Sequence, residues 1–144
     1  MNISYVVPIL FIIAVSGCVQ SSQISSTEPS QLYDNFCKSL ASCEQNSIQI
    51  QAADTGDMYS LGVIGLDDGG CKLRIGLEKS GSEKTKSLEG LYSTCSRSED
   101  YSYAENLTGE NCRDFVNNFM LTLAVDVGKK ESLCTGSLKE VVSQ

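Results

Sequence analysis

The stretch Cys71-Lys72-Leu73-Arg74-Ile75-Gly76-Leu77-Glu78 decides the fold, because apolar and polar side chains alternate along it. Successive side chains of a strand point to opposite faces, so the apolar set would face a core while Lys72, Arg74 and Glu78 face water. The four residues before it, Asp67-Asp68-Gly69-Gly70, are typical of a hairpin turn, because Asp-Gly and Gly-Gly tolerate positive φ. The sequence therefore predicts an antiparallel sheet built around this strand.

Three further segments extend the predicted sheet. Residues 47–52 alternate with period two, and residues 58–66 are apolar with interspersed glycines. Residues 88–96 fit a helix or a strand, and we favour a strand that pairs with residues 71–78 across the charged loop 79–86. That pairing places Cys71 opposite Cys95, so a cross-strand Cys71–Cys95 disulfide is the expected local bridge.

Two segments have the apolar spacing of helices. Residues 31–44 carry a stripe that includes Leu32, Phe36 and Leu40, and a second helix is expected after a Thr108 cap, with Gly128 as its stop. Residues 134–142 could form a short final helix or an edge strand. The predicted fold class is α+β, an antiparallel meander of three or four strands packed against two helices. The expected core has these members: Leu32, Phe36, Leu40, Ile48, Ile50, Leu61, Val63, Leu73, Ile75, Leu77, Phe115, Phe119 and Leu123.

The composition excludes several kinds of chemistry. The chain has 144 residues, no His, no Trp and a formal net charge of −7. Without histidine it can form neither a His-based catalytic triad nor a His-containing zinc site. An acidic surface argues against nucleic acid as a partner, since neutralising phosphates takes clustered lysine and arginine. We expect no cofactor and no metal.

The seven cysteines divide into one and six. Cys18 stands at the end of an apolar stretch, and the other six are spread over the rest of the chain: Cys37, Cys43, Cys71, Cys95, Cys112 and Cys134. An even number in a small exported domain predicts three disulfides, and no C-x-x-C spacing points to redox or metal chemistry. If Cys71 pairs with Cys95, then Cys37 and Cys43 hold Cys112 and Cys134 in either order.

The N-terminal segment has the pattern of an export signal. Residues 5–15 form an apolar run of h-region length, and Val15-Ser16-Gly17-Cys18 follows it. These four residues resemble the lipobox of prokaryotic lipoproteins, and the resemblance covers the leader only. It implies a diacylglyceryl group on Cys18, cleavage after Gly17, and a domain held at the cell membrane outside the cytoplasm. The n-region, residues 1–4, departs from the family pattern in having no Lys or Arg.

Two other interpretations of the leader remain open, an uncleaved N-terminal anchor and a plain secretory signal cut after Gly17 or later. The lipoprotein interpretation divides the chain into a signal peptide (1–17), the lipidated Cys18 with a flexible Ser/Gln-rich tether (18–30), and a disulfide-stabilised globular domain (31–144). All three interpretations place the domain outside the cytoplasm.

A search for catalytic residues finds carboxylate pairs only. They are Asp54/Asp57, Asp67/Asp68, Glu99/Asp100 and Glu105/Glu110. Two carboxylates at a suitable distance could hydrolyse a glycosidic bond, but the first two pairs stand in predicted turns, where Asp bonds to local backbone. These first two pairs also lack the spacing of a calcium loop. Asn106-Leu107-Thr108 matches a glycosylation acceptor, which matters only in a host that glycosylates exported proteins.

Tyr101 and Tyr103 stand in an acidic loop, residues 97–105, that would suit recognition of a basic protein. We therefore expect a lipid-anchored binding or accessory domain of the cell envelope that catalyses nothing, with a cationic envelope or secreted protein as partner. Two alternatives remain: a small carboxylate-dependent hydrolase acting on envelope glycans, and a structural subunit of an envelope complex.

Overall fold

The computed structural model describes residues 29–144. Within that range, three helices and a five-stranded antiparallel sheet form an α+β domain, which confirms the predicted fold class. The elements in chain order are α1 (Pro29–Ser42), β1 (Asn46–Gln51), β2 (Met58–Asp67), β3 (Gly70–Lys79), β4 (Tyr92–Arg97), α2 (Gly109–Gly128), β5 (Cys134–Thr135) and α3 (Ser137–Val142). Short 3-10 turns occupy Lys86–Leu88 and Ser102–Asn106.

The sheet is a meander in which each strand pairs with the next, in the order β1-β2-β3-β4-β5. It has one strand more than the three or four predicted. The additional strand, β5, contains two residues that pair with Thr94 and Cys95. The tail was predicted to form a helix or an edge strand, and it forms both, because β5 runs directly into α3. Two residues are too few for a hydrophobic period to reveal.

The core lies between one face of the sheet and the helices. Ile48, Leu61 and Ile75 lie side by side across the first three strands and are almost completely buried. Phe36 and Leu40 of α1 and Phe119 and Leu123 of α2 cover them from one side. Leu32 was expected in this core, but it lies in the first turn of α1 and is 48% exposed. Phe115 is only partly buried.

The helices α1 and α2 begin side by side. The Asp34 carboxylate accepts a hydrogen bond of 2.7 Å from the Gly109 N–H, and Cys37 forms a disulfide with Cys112. Thr108 does precede α2 as predicted, but its side chain makes no capping bond. Asp34 from the neighbouring helix satisfies the free N–H of Gly109 at this helix start instead.

The predicted Cys71–Cys95 disulfide is wrong. Cys71 lies opposite Arg97, and Cys95 lies opposite Leu73, a register two residues away from the one expected. The conformation of the residues that connect β3 to β4 accounts for this different register. Lys86–Leu88 makes a 3-10 turn, and Gly90 adopts a φ of 80°. The Gly90 N–H donates to the Leu77 carbonyl, and the Leu77 N–H donates to the Leu91 carbonyl. Gly90 and Leu91 therefore both lie opposite Leu77, as in a β-bulge.

The cysteines of this region pair elsewhere. Cys43 follows α1 with a φ of 52° and bridges Cys71 at the start of β3, while Cys95 bridges Cys134 on the neighbouring strand. The expectation that Cys37 and Cys43 would hold Cys112 and Cys134 is therefore confirmed for Cys37 only. Three disulfides exist as predicted, and each joins a different pair of elements.

Candidate functional site

Tyr101 is an anchor of the acidic loop. Only 6% of it is exposed, and its ring packs edge-on against Phe119 with centroids 5.3 Å apart. Its hydroxyl lies 3.4 Å from both the Arg97 Nε and a Glu99 carboxylate oxygen. Burial raises the pKa of the Tyr101 phenol, so it stays protonated at neutral pH. This residue positions the loop and presents almost none of its own surface.

Tyr103, by contrast, is 53% exposed. Its ring meets Phe115 of α2 edge-on, with centroids 5.7 Å apart, and Phe115 in turn stacks on Phe119 at 5.6 Å. The sequence brought Tyr101 and Tyr103 together as one candidate surface, whereas the structure separates them. One is buried, and the other stands at the surface against a phenylalanine of α2.

These rings line a groove of about 410 Å³ between the 102–106 turn and α2, which we refer to as the aromatic groove. Its lining combines four aromatic side chains with charged and polar ones: Arg97, Glu99, Asp100, Tyr101, Tyr103, Phe115, Asn118, Phe119 and Thr122. A largely apolar cleft with a few charged groups at its rim is the usual form of a binding site.

Two carboxylates stand at the rim of the aromatic groove. Asp100 accepts hydrogen bonds from the Ser102 N–H at 2.9 Å and from the Ser102 hydroxyl at 3.0 Å, and these bonds lower the pKa of Asp100. Glu99 is half-exposed and pairs with Arg97 at 3.3 Å. The Asp100 carboxylate is therefore ionised at neutral pH and adds negative charge to this end of the groove.

The acidic loop is also held by a small network of ion pairs. Arg97 bonds to Asp126 near the end of α2, and Lys129 donates to the other oxygen of Asp126 at 2.7 Å. The hydrogen bond from Lys129 lowers the pKa of Asp126, and the bond from Arg97 adds to that effect. Arg97 and Asp126 are mostly buried, so the network ties β4, the acidic loop and α2 together.

The carboxylate pairs predicted in turns are engaged in structural bonds. Asp57 is 1% exposed and accepts bonds from the Gly81 N–H at 2.7 Å and the Thr85 hydroxyl at 2.8 Å. The bond from Gly81 lowers the pKa of Asp57 most, followed by the bond from Thr85. Its neighbour Asp54 accepts the N–H of Thr55 at 2.9 Å.

Asp67 is the second carboxylate held in this way. It pairs with Lys72 at 2.9 Å and accepts the Gly69 N–H at 2.8 Å, and these contacts lower the pKa of Asp67. Glu110 lies at the exposed start of α2 and pairs with Arg113 at 3.7 Å. Within residues 29–144, no three cysteine, aspartate or glutamate side chains are grouped so that they could hold a metal ion.

The remaining predicted sites are the glycosylation match and the lipid attachment site. Both Asn106 and Thr108 of the glycosylation match are exposed, Asn106 at the end of the 102–106 turn and Thr108 directly before α2. Cys18, the predicted lipid attachment site, lies outside the described residues. None of the helices in the described part of the chain is both long and apolar enough to cross a bilayer.

Sequence reasoning identified the tyrosine loop but missed Phe115 as part of the same surface. Phe115 and Phe119 are four residues apart and were assigned to the core together, yet α2 turns Phe115 to the edge of the buried stripe. The sequence did contain a signal for this placement of Phe115. Phe115 lies one turn after Cys112 in the first part of α2, and the acidic loop comes shortly before this helix. The buried role of Asp57 had no such signal.

Comparison with known proteins adds no relative: no protein-family model matches the chain, and neither a curated protein nor a solved structure is significantly similar to it.

Proposed function

We propose that this protein is a lipid-anchored, extracytoplasmic binding domain of the cell envelope that holds a cationic protein partner in the aromatic groove. The observation that carries the proposal is the exposed ring of Tyr103, set edge-on against Phe115 beside the carboxylates of Glu99 and Asp100. Lys or Arg of a partner would place its alkyl stem on the rings and its charge at the rim.

The electrostatics of the chain favour such a partner. The formal net charge is −7, and a field of one sign raises the rate at which an oppositely charged protein arrives. The aromatic rings contribute contact area with little loss of conformational entropy, because Tyr103 and Phe115 already rest on each other. Tyr101 holds the loop in place and is the positioning residue of the groove.

The state of the carboxylates supports binding rather than hydrolysis. A glycosidase needs one carboxyl group whose pKa is raised, so that it can donate a proton to the leaving group. Asp57, Asp67 and Asp100 all have a lowered pKa, because neighbouring N–H and hydroxyl groups bond to their ionised form. These carboxylates are suited to holding loops.

The leader and the disulfides support the location. Val15-Ser16-Gly17-Cys18 resembles a lipobox, and a domain with three disulfides suits an oxidising compartment. A diacyl anchor on Cys18 supplies two chains, which is what stable membrane residence takes.

The acidic end of the groove lies far from the point where the tether would join the domain. The tether would join the domain at the start of α1, and the 14-residue helix is about 21 Å long. Residues 97–101 line a cavity together with residues 40–43, at the other end of that helix. The carboxylates of the groove therefore lie near the end of α1 opposite to the one that the tether would join.

Two measurements test the proposal. Intact-mass analysis of the exported protein should show a diacylglyceryl adduct and no free thiols, and an unacylated product would contradict the anchor. In the second, basic envelope and secreted proteins are passed over the acylated protein in vesicles. Tyr103→Ala should weaken capture at least tenfold, because a central aromatic contact is lost.

A matched control is Tyr92→Ala, which removes an exposed tyrosine from β4, where Arg74 stacks on it at 3.8 Å. Equal loss in the two variants would show that the groove is not the binding surface. Turnover of envelope glycans, lost in an Asp or Glu variant, would replace the binding function with the hydrolase. Loss of a larger assembly on deletion, without a separable basic ligand, would favour the structural subunit.

A further inference from the structure

Among residues 29–144, no strand pairs with the outer side of β1, which is therefore an edge of the described sheet. The hydrogen bonds between β1 and β2 show which backbone groups of β1 face outward. Ala52 N–H donates to the Asp57 carbonyl at 2.8 Å, so even-numbered residues of this segment turn their backbone groups toward β2. Ser47, Gln49 and Gln51 therefore turn theirs away from the sheet. The Ser47 N–H donates to the Asn46 Oδ1 at 2.7 Å. The N–H groups of Gln49 and Gln51 therefore remain as the outward donors.

This edge lacks the usual protection against another strand. Natural edges are blocked by charges, proline, bulges or very short length. The β1 sequence, Asn-Ser-Ile-Gln-Ile-Gln, has no charge and no proline, and it pairs with β2 without a register shift over six residues. The opposite edge strand, β5, has only two residues.

The side chains of β1 show what kind of strand would fit. Ile48 and Ile50 are each 5% exposed and point into the core, so the edge offers no apolar surface to a partner. Ser47, Gln49 and Gln51 are exposed on the other face. Affinity would come from main-chain hydrogen bonds, as in other cases where a peptide extends a sheet.

The charges at the two ends favour a basic occupant. Glu44 and Asp54 are exposed and stand just before and just after β1. A second copy of the chain, paired antiparallel about Gln49, would bring the Glu44 of one copy close to the Asp54 of the other. Like charges oppose that arrangement, whereas lysine or arginine at both ends of an added strand would be attracted.

We propose that the free edge of β1 binds an extended segment of a partner protein that carries basic residues at both ends, as a sixth strand of the sheet. This surface is separate from the aromatic groove and does not depend on the function proposed for the groove.

The test uses the exported protein and a short blocked peptide with lysine at each end and alternating threonine and valine between them. We expect saturable binding and at least tenfold slower amide hydrogen exchange at Gln49 and Gln51 in the complex. Gln49→Pro should weaken binding about tenfold, because it removes an outward donor. Proline is tolerated where the N–H of an edge strand faces solvent, so the domain keeps its fold.

Two controls separate strand addition from plain charge attraction. The same peptide N-methylated at alternate residues keeps its charge but cannot form the ladder, and it should bind at least tenfold more weakly. Tyr92→Ala, which removes an exposed tyrosine of β4 outside both surfaces, should bind the unmethylated peptide as the parent does. Equal binding of the two peptides, unchanged exchange at Gln49 and Gln51, or self-association that Gln49→Pro abolishes would each overturn the proposal.

Discussion

Cys95 of β4 and Cys134 of β5 stand directly opposite each other, with their Cα atoms 4.0 Å apart and their sulfurs joined. This covalent link holds a strand of only two residues against the sheet. It also brings α3 back to the sheet, where Ser93 Oγ accepts the Lys139 N–H at 2.8 Å. The bridge and the hydrogen bonds to β4 together hold the C-terminal part of the domain against the sheet.

The disulfide map is the most direct check of the fold. Non-reducing proteolysis followed by mass spectrometry should find Cys37–Cys112, Cys43–Cys71 and Cys95–Cys134. The pairing follows from the β3–β4 register, which places Leu73 opposite Cys95. A peptide containing Cys71 linked to Cys95 would show that this register is wrong.

The three bridges should differ in their contribution to stability. In the chain-entropy description, a bridge stabilises more when it closes a longer loop. The Cys37–Cys112 separation is 75 residues and the Cys43–Cys71 separation is 28. Replacing both cysteines with alanine should therefore cost about 4.5 kcal/mol for the first pair and about 3.6 kcal/mol for the second. Urea unfolding of the two double variants gives the order, and a reversed order would contradict the entropic account.

Asp57 should make the stability of the domain depend on pH. The pKa of Asp57 in the folded protein lies below the ordinary value of an aspartate, mainly because the Gly81 N–H bonds to the carboxylate. The ionised form therefore stabilises the fold above that value, and the contribution is lost as the pH falls below it through the folded pKa. Asp57→Asn should destabilise the domain clearly at pH 7, and the difference from the parent should shrink on acidification.

Urea unfolding at neutral and acidic pH measures this effect. Asp54→Asn is the matched control, because Asp54 is exposed and bonds only to its neighbour Thr55. It should leave the midpoint almost unchanged. A loss in Asp57→Asn that stays constant with pH would mean that the charge of Asp57 is not what stabilises the loop.

Gly81 should tolerate no larger residue. A Cβ at this position would lie 2.1 Å from the Thr55 carbonyl oxygen and 2.5 Å from the Gly56 carbonyl carbon, both of them backbone atoms. We expect Gly81→Ala to cost about 1–3 kcal/mol, because two loops must move apart. In Gly128→Ala, by contrast, the new Cβ meets nothing within 4 Å.

The Gly128 variant serves as the control for the Gly81 variant, since alanine in a helix is favoured over glycine. Thermal unfolding should show a lower midpoint for Gly81→Ala and an equal or higher one for Gly128→Ala. Equal midpoints for Gly81→Ala and the parent would show that the contact between the 52–57 turn and residue 81 is looser than described.

Part of the candidate site was evident in the sequence. The acidic tyrosine loop stood out by composition, but its two tyrosines have different roles. Tyr101 packs on Phe119 and Tyr103 rests on Phe115, a division that depends on how the 102–106 turn lies along α2. No local pattern determines that placement. The ion pair between Arg97 and Asp126 joins residues 29 positions apart, and it was not predicted either.

The amino-acid sequence by itself determined the fold class, the inward face of each long strand, and the presence of three bridges among six cysteines. Those features follow from local periods and from the cysteine count. Only the tertiary structure decided which cysteines meet, because a register shift of two residues leaves every side chain on the same face of the sheet. Cys71 and Cys95 satisfy the hydrophobic pattern equally well in either register. The 3-10 turn and the β-bulge in the β3–β4 connection select the observed register. That register in turn determines the partners of both cysteines.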